Sequence, residues 1–124
     1  MTSPSNLLPS KVVLTTEQVR WGVEEFFERI LRLQRKKNED YAKNNDGLRN
    51  FRETAQRLNV PMPKVFLTHI LKHLIALENA ASKGLELNEG VEDRLLDVAC
   101  YSAMLHVALR EDTLTKRKEW KNEQ

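Results

Sequence analysis

One cysteine, four glycines and four prolines in 124 residues exclude several architectures at once. Cys100 alone makes no internal disulfide, and without a cysteine cluster there is no zinc site of the finger or ribbon kind. No apolar run approaches the roughly 20 residues that span a bilayer. The opening stretch from Met1 to Val13 lacks the basic start, long apolar centre and small-residue cleavage site of a secretory signal, so a cytoplasmic location is expected. Charge of one sign is scarce as well. Twenty Lys and Arg against 18 Asp and Glu leave a net +2, which gives no bulk electrostatic reason to expect nucleic acid as a partner. Any polyanion site must be local. The basic run of Lys116, Arg117, Lys118 and Lys121 is interrupted by Glu119 and Glu123 and reads as a solvated end.

What remains is a globular balance, 40% hydrophobic and 31% charged, in a chain long enough for one modest core. The few Gly and Pro residues fall at joints, and the segments between them have helical periodicity, so the expectation is an all-α, four-helix domain. Residues 1–14 read as an arm, 15–111 as the helical domain and 112–124 as a charged tail that frays. Thr15 and Gln18 have the capping-box spacing, which starts a first helix that runs to about Tyr41. Its apolar stripe is Val19, Val23, Phe26, Phe27, Ile30 and Leu31. Glu24, Glu25 and Glu28 complement the dipole of its early turns. Asp46 is placed to cap a short second helix carrying Leu48, Phe51, Ala55 and Leu58. A third helix follows Pro63 with Val65, Phe66, Ile70, Leu71, Leu74 and Leu77, and Gly84 sits where a left-handed terminator belongs. The fourth starts between Asn88 and Gly90 and ends near Arg110.

The fourth helix is apolar almost all the way round, which makes it the central helix or one covered by a second subunit. A dimer or higher homo-oligomer is expected. Inside the apolar run lies Asp97, and Glu89, Asp93 and Asp97 recur every four residues, each about 40° further round the helix than the last. The three acids share a face that continues into Cys100, Tyr101 and Met104. A carboxylate in that setting needs a partner, because burying it unpaired costs several kcal/mol. Three kinds compete: a cation of the chain such as Lys72, Arg94 or Arg49, a divalent metal with a nucleotide's phosphates, or a proton-transfer role toward a substrate.

A second polar cluster runs through Lys36, Lys37, Asn38, Glu39, Asp40 and Tyr41, then Asp46, Arg49, Asn50 and Phe51. It combines the amide, hydroxyl, aromatic face and cation that recognition of base, sugar and phosphate requires. An ordinary solvated helix end followed by a capped turn accounts for the same residues. His69 and His73 stand four apart on the third helix, a spacing able to hold one metal, but with no third ligand nearby they read as packing or interface residues. Lys72 beside them is the better candidate for a phosphate or for an acid on the fourth helix. His106 and Cys100 read as core or interface residues.

Three segments carry a resemblance. Lys37-Asn38-Glu39-Asp40-Tyr41, then Asn50-Phe51, and above all Asn88 to Tyr101, with Glu89, Asp93, Asp97 and Ala99 in step, resemble small phage and bacterial helical proteins of a nucleotide-modification-associated group. That group is similar to the MazG-like all-α nucleotide pyrophosphohydrolases. The resemblance covers about residues 25–110. It implies a four-helix, usually oligomeric, MazG-like bundle that binds a nucleoside triphosphate through Mg²⁺, or Mn²⁺, and in the MazG-like enzymes cleaves it to monophosphate and pyrophosphate. Carried over, Glu89, Asp93 and Asp97 become the metal ligands, with Asp93 and Asp97 the catalytic acids. Lys37, Asp40, Tyr41 and Asn50 become substrate-binding residues, and Lys72, outside the matched motifs, joins them as the phosphate candidate of the third helix, the lysines offsetting phosphate charge and Tyr41 and Asn50 holding the nucleoside. The chain departs from the MazG-like pattern in one respect: Glu25 and Glu28 precede the acids of the last motif by about sixty residues, and the third helix has no matching acidic pair.

Pyrophosphohydrolysis of a (deoxy)nucleoside triphosphate is therefore the leading expectation. A non-catalytic binder that sequesters or senses a nucleotide is the first alternative, since it needs the basic and aromatic contacts without the second acidic pair. A structural helical oligomer with Asp97 neutralised by the chain itself is the second.

Overall fold

The computed structural model describes residues 13–41 and 46–123, with side chains described for 13–37 and 46–117. Among these residues the chain is all-α without strands: α1 (Thr16–Tyr41), α2 (Arg49–Leu58), α3 (Met62–Ala81) and α4 (Glu89–Glu123). None of the described helices is long and apolar enough to cross a membrane.

The helix boundaries follow local chemistry. The capping box forms in both directions: the Gln18 N–H donates to Thr15 Oγ1 at 3.1 Å, and the Thr15 N–H donates to Gln18 Oε1 at 2.9 Å. Asp46 is not the cap of α2 itself, which is Leu48; it stands two residues earlier and accepts the Leu48 N–H at 3.1 Å. Asn59 ends α2 in the left-handed region at φ 54°, with the Val60 N–H reaching back to the Ala55 carbonyl at 3.0 Å. Past α3, Gly84 takes φ +86°, a value that a side chain would make costly. Asn88 Oδ1 accepts the Val91 N–H at 2.9 Å and starts α4.

Two expectations about the helices are corrected. The fourth helix does not stop near Arg110 and fray; it continues as α4 to Glu123, 35 residues in all and about 52 Å long at 1.5 Å per residue. Residues 111–123 contain no Gly or Pro and are rich in Lys, Arg and Glu, so nothing local breaks the helix. The acids of α1 lie beyond its first turn, where the only acid is Glu17, and they pair with arginines instead of the dipole. Glu24 meets Arg20, Glu25 meets Arg29 and Glu28 meets Arg32, exposed pairs of small worth.

α4 is the central helix. α1 and α3 pack against it, and α3 also carries α2. The core comprises Ile30, Leu48, Ala55, Met62, Val65, Phe66, Cys100, Met104 and Ala108, with Phe26, Leu33 and Phe51 packed beside it. Arg52 fastens α2 to α4: it donates to Glu111 at 2.8 and 3.1 Å and to Asp46 at 3.1 and 3.2 Å. These bonds raise the Arg52 pKa, and the Arg52 bond is the largest cause holding the Asp46 carboxyl below its ordinary value. The expected stripes are covered only in part. On α1, Ile30 is buried, whereas Val19, Val23, Phe27 and Leu31 are exposed. On α3, Val65 and Phe66 are buried, whereas Leu71 and Leu74 are exposed. Three neighbouring helices do not cover all the apolar surface that the sequence provides.

Candidate functional site

Where α1, α2, α3 and α4 converge, five rings meet. Tyr101 of α4 lies face to face with His69 of α3, centroids 4.7 Å apart and planes 9° from parallel. His73, one turn along, stacks on the same Tyr101 ring at 5.9 Å. Phe51 of α2 turns its edge to both Tyr101 and His69 and rests on the buried Phe66 at 4.3 Å. Above the Tyr101 ring, 4.5 Å from its centroid, is Lys37 Nζ at the far end of α1.

Behind the rings runs a chain of charge. Lys37 Nζ lies 3.8 Å from Asp97 Oδ1, and His73 Nε2 lies 3.5 Å from Asp97 Oδ2. On the other side of the imidazole, Arg94 Nη1 is 2.9 Å from His73 Nδ1. A guanidinium only donates, so Nδ1 accepts and the His73 proton sits on Nε2, facing Asp97. Burial pushes the His73 pKa down, Asp97 opposes that, and Arg94, Lys72 and Lys37 add to it. His69 is lowered too, first by burial and then by Lys72, His73 and Lys37. Both imidazoles are therefore neutral at pH 7. Burial also raises the Cys100 pKa, which leaves it a thiol and not a nucleophile.

Because both histidine pKa values lie below the ordinary 6.5, the unfolded chain takes up protons that the folded chain resists. Stability is fully present above pH 6.5 and declines as pH falls below it. The thermal midpoint is expected to drop between pH 7.5 and pH 5.5, and His73→Gln to flatten that drop. An unchanged midpoint across this window would show that the imidazoles are as free to protonate as in solution.

The rings enclose a cavity of about 190 Å³ lined by Lys37, Gly47, Asn50, Phe51, Thr54, His69, Tyr101 and Met104. Two residues of the expected substrate set, Lys37 and Asn50, are thus brought together from opposite ends of the second cluster. Lys72 is exposed on α3 and does not line the cavity. The side chains of Asp40 and Tyr41 lie outside the described ones. Glu89 and Asp93 are exposed on the turns before Asp97, and among the described residues no group of three or more His, Cys, Asp or Glu side chains is gathered closely enough to hold a metal ion. The donors expected for Mg²⁺ do not fit it as a set: both oxygens of Asp97 face cationic or N–H partners of the chain.

The partners of Asp97 correct the sequence reading. Lys37 and His73 take the place expected for Lys72, Arg94 or Arg49. Arg94 acts one step removed through His73, and Arg49 bonds to Glu53. The reading also passed over Tyr101 and His69 as cavity walls. A signal was present: 69 and 73 on one helix and 97 and 101 on another are matching four-residue steps, which antiparallel packing sets face to face.

No family model, curated protein or solved structure matches the chain. The likeness to MazG-like proteins rests on the motif residues alone. What the geometry defines is an all-α protein with a ring-walled cavity and a lysine at its rim.

Proposed function

We propose that the chain is a nucleotide-binding protein in which the cavity takes the base and Lys37 meets a phosphate. The observation that carries this reading is the Tyr101–His69 stack, walled by Phe51, with Lys37 beside it. Aromatic faces stack on any base, with about 1–3 kcal/mol per base in known single-strand binders. A volume of about 190 Å³ is below the roughly 300 Å³ at which pockets for whole drug-sized molecules begin, so one ring system enters and sugar and phosphates stay at the mouth. Asn50 brings an amide for a base edge, and Thr54, whose hydroxyl donates to the Asn50 carbonyl at 2.7 Å, still has lone pairs to offer.

Binding without hydrolysis is the better-supported form. Pyrophosphohydrolysis calls for carboxylates gathered to hold metal and activate water, and Asp97 is engaged by Lys37 and His73 while Glu89 and Asp93 are exposed on the preceding turns and are not gathered with it among the described residues. Mg²⁺ or Mn²⁺ would then accompany the nucleotide's phosphates and not be held by the protein. A homo-oligomer belongs to the same proposal, supported by the apolar surface that the chain leaves open.

The test is a thermal-shift titration with nucleosides and their mono-, di- and triphosphates, with Mg²⁺ and with a chelator, followed by assay for monophosphate and pyrophosphate. A ligand that binds only the folded chain raises the midpoint by mass action. A midpoint raised by at least one nucleotide, more than by its nucleoside, and without product, is the expected result. No response to any nucleotide overturns the proposal, and turnover lost in Asp97→Asn would establish the hydrolase instead.

A further inference from the structure

The polar side chains that line the cavity differ in whether their hydrogen-bonding sense can change. Asn50, His69 and Tyr101 adapt: an amide offers both N–H and C=O and turns over, a neutral imidazole carries its proton on either nitrogen, and a phenol both donates and accepts. Two groups do not. Lys37 only donates, and it stands beside Asp97 and over the Tyr101 ring. Thr54 only accepts, and the reason lies in its own helix. Its Oγ1 is 2.7 Å from the Asn50 carbonyl oxygen, a group with no proton to give, so the hydroxyl proton lies between them and the lone pairs are left over. Among the described residues no donor reaches Thr54 Oγ1.

Asn50 and Thr54 are four positions apart on α2, so the amide and the hydroxyl are neighbours on one face of the helix and on one wall of the cavity. Together they present two acceptors, Asn50 Oδ1 and Thr54 Oγ1, and the N–H donors of Asn50 Nδ2.

We propose, resting on the nucleotide reading, that the cavity selects bases that carry an exocyclic amino group over their keto counterparts, and that Thr54 makes the choice. The position of protons on the base decides it. Adenine and cytosine have an amino group with two N–H donors and, beside it, a ring nitrogen that accepts. One N–H goes to Thr54 Oγ1, the other to Asn50 Oδ1, and the ring nitrogen takes an Asn50 N–H, so every group of this wall is met. Hypoxanthine and uracil have a carbonyl in place of the amino group and one N–H in place of the accepting nitrogen. Asn50 turns over and pairs with both, because an amide matches either edge. Thr54 cannot follow. It then faces a carbonyl oxygen, acceptor against acceptor, and turning its proton toward the base breaks the bond to the Asn50 carbonyl. Lys37 takes no part in the choice, since the phosphate it meets is the same in every case.

The test is isothermal titration of the full chain with the monophosphates of adenosine, inosine, cytidine and uridine, read as two ratios of affinity. Adenosine over inosine and cytidine over uridine are each expected to favour the aminated member by about 2- to 12-fold, the range of one neutral hydrogen bond. Thr54→Val keeps the shape of the side chain and removes the acceptor, and it is expected to abolish both preferences. Thr54→Ser keeps the hydroxyl and is expected to retain them. Thr54 is exposed, so neither substitution disturbs the core. A general loosening of α2 lowers all four affinities together and leaves the ratios where they were. Equal affinities within each pair for the parent chain, or preferences that survive Thr54→Val, overturn the proposal while the nucleotide reading stands. Absence of binding by all four overturns that reading and the preference with it.

Discussion

Phe66→Ala is expected to cost about 3–5 kcal/mol of stability, the range for truncating a fully buried aromatic. That is a large part of the roughly 5–15 kcal/mol that a domain of this size has in total. Phe66 is 0% exposed and lies on α3 where it also meets α2. Its loss removes the ring on which Phe51 rests at 4.3 Å, so the wall of the cavity loosens with the core. The natural control is Leu58→Ala, which removes an apolar side chain 65% exposed on α2 and is expected to change stability by no more than about 0.5 kcal/mol. Urea unfolding of both variants by circular dichroism makes the comparison. Equal losses would mean that burial at Phe66 is not what ties α2 to α3.

The ends of the helices were legible because each is set within a few residues. Thr15 with Gln18, Asn88 ahead of α4 and Gly84 after α3 act through bonds or backbone angles that the neighbouring sequence determines. The end of α4 was not legible, because a charged segment with good helix formers gives no local stop and the expectation of fraying rested on charge alone. The stripes of α1 and α3 were read correctly as apolar, but their coverage was not. Periodicity says which side of a helix is apolar, and only the arrangement of its neighbours says whether that side is buried. Val23, Phe27 and Leu31 carry the same pattern as Phe26 and Ile30, yet α4 meets only the latter pair.

The candidate site divides in the same way. Asp97 stood out in the sequence as a carboxylate in need of a partner, and the structure supplies two. Neither Lys37 nor His73 was identified as that partner: the sequence offers several cations, Lys72 next to His73 among them, and only the packing of α1 and α3 on α4 decides which of them turn toward Asp97. The four-residue spacing of Glu89, Asp93 and Asp97 correctly puts them on successive turns. Only Asp97, however, lies beside a neighbouring helix that closes around it, so a shared face did not become a shared site.

Tyr101→Ala is expected to weaken nucleotide binding by about 1–3 kcal/mol, or roughly 5- to 150-fold in affinity, the worth of an aromatic contact to a base; His69 and Lys37 already occupy the faces of the ring, so the tyrosine acts as a cavity wall and as the support on which His69 is held. The substitution also removes its stack on His73 and the face it offers Lys37. Tyr101→Phe separates these, since it retains the ring and removes only the hydroxyl, and it is expected to bind within a few-fold of the parent. Lys37→Met tests the other end of the ligand. It should leave a nucleoside's affinity unchanged and reduce that of the nucleotide, and the reduction should shrink with added salt, because salt screens a charge contact at the cavity mouth and leaves a stack unaffected. Isothermal titration of the three variants with one nucleoside and its monophosphate distinguishes these outcomes. If Tyr101→Ala binds like the parent, the base does not enter the ring-walled cavity. If Lys37→Met weakens nucleoside and nucleotide alike, Lys37 acts by holding Asp97 and the ring in place, and the phosphate is met elsewhere.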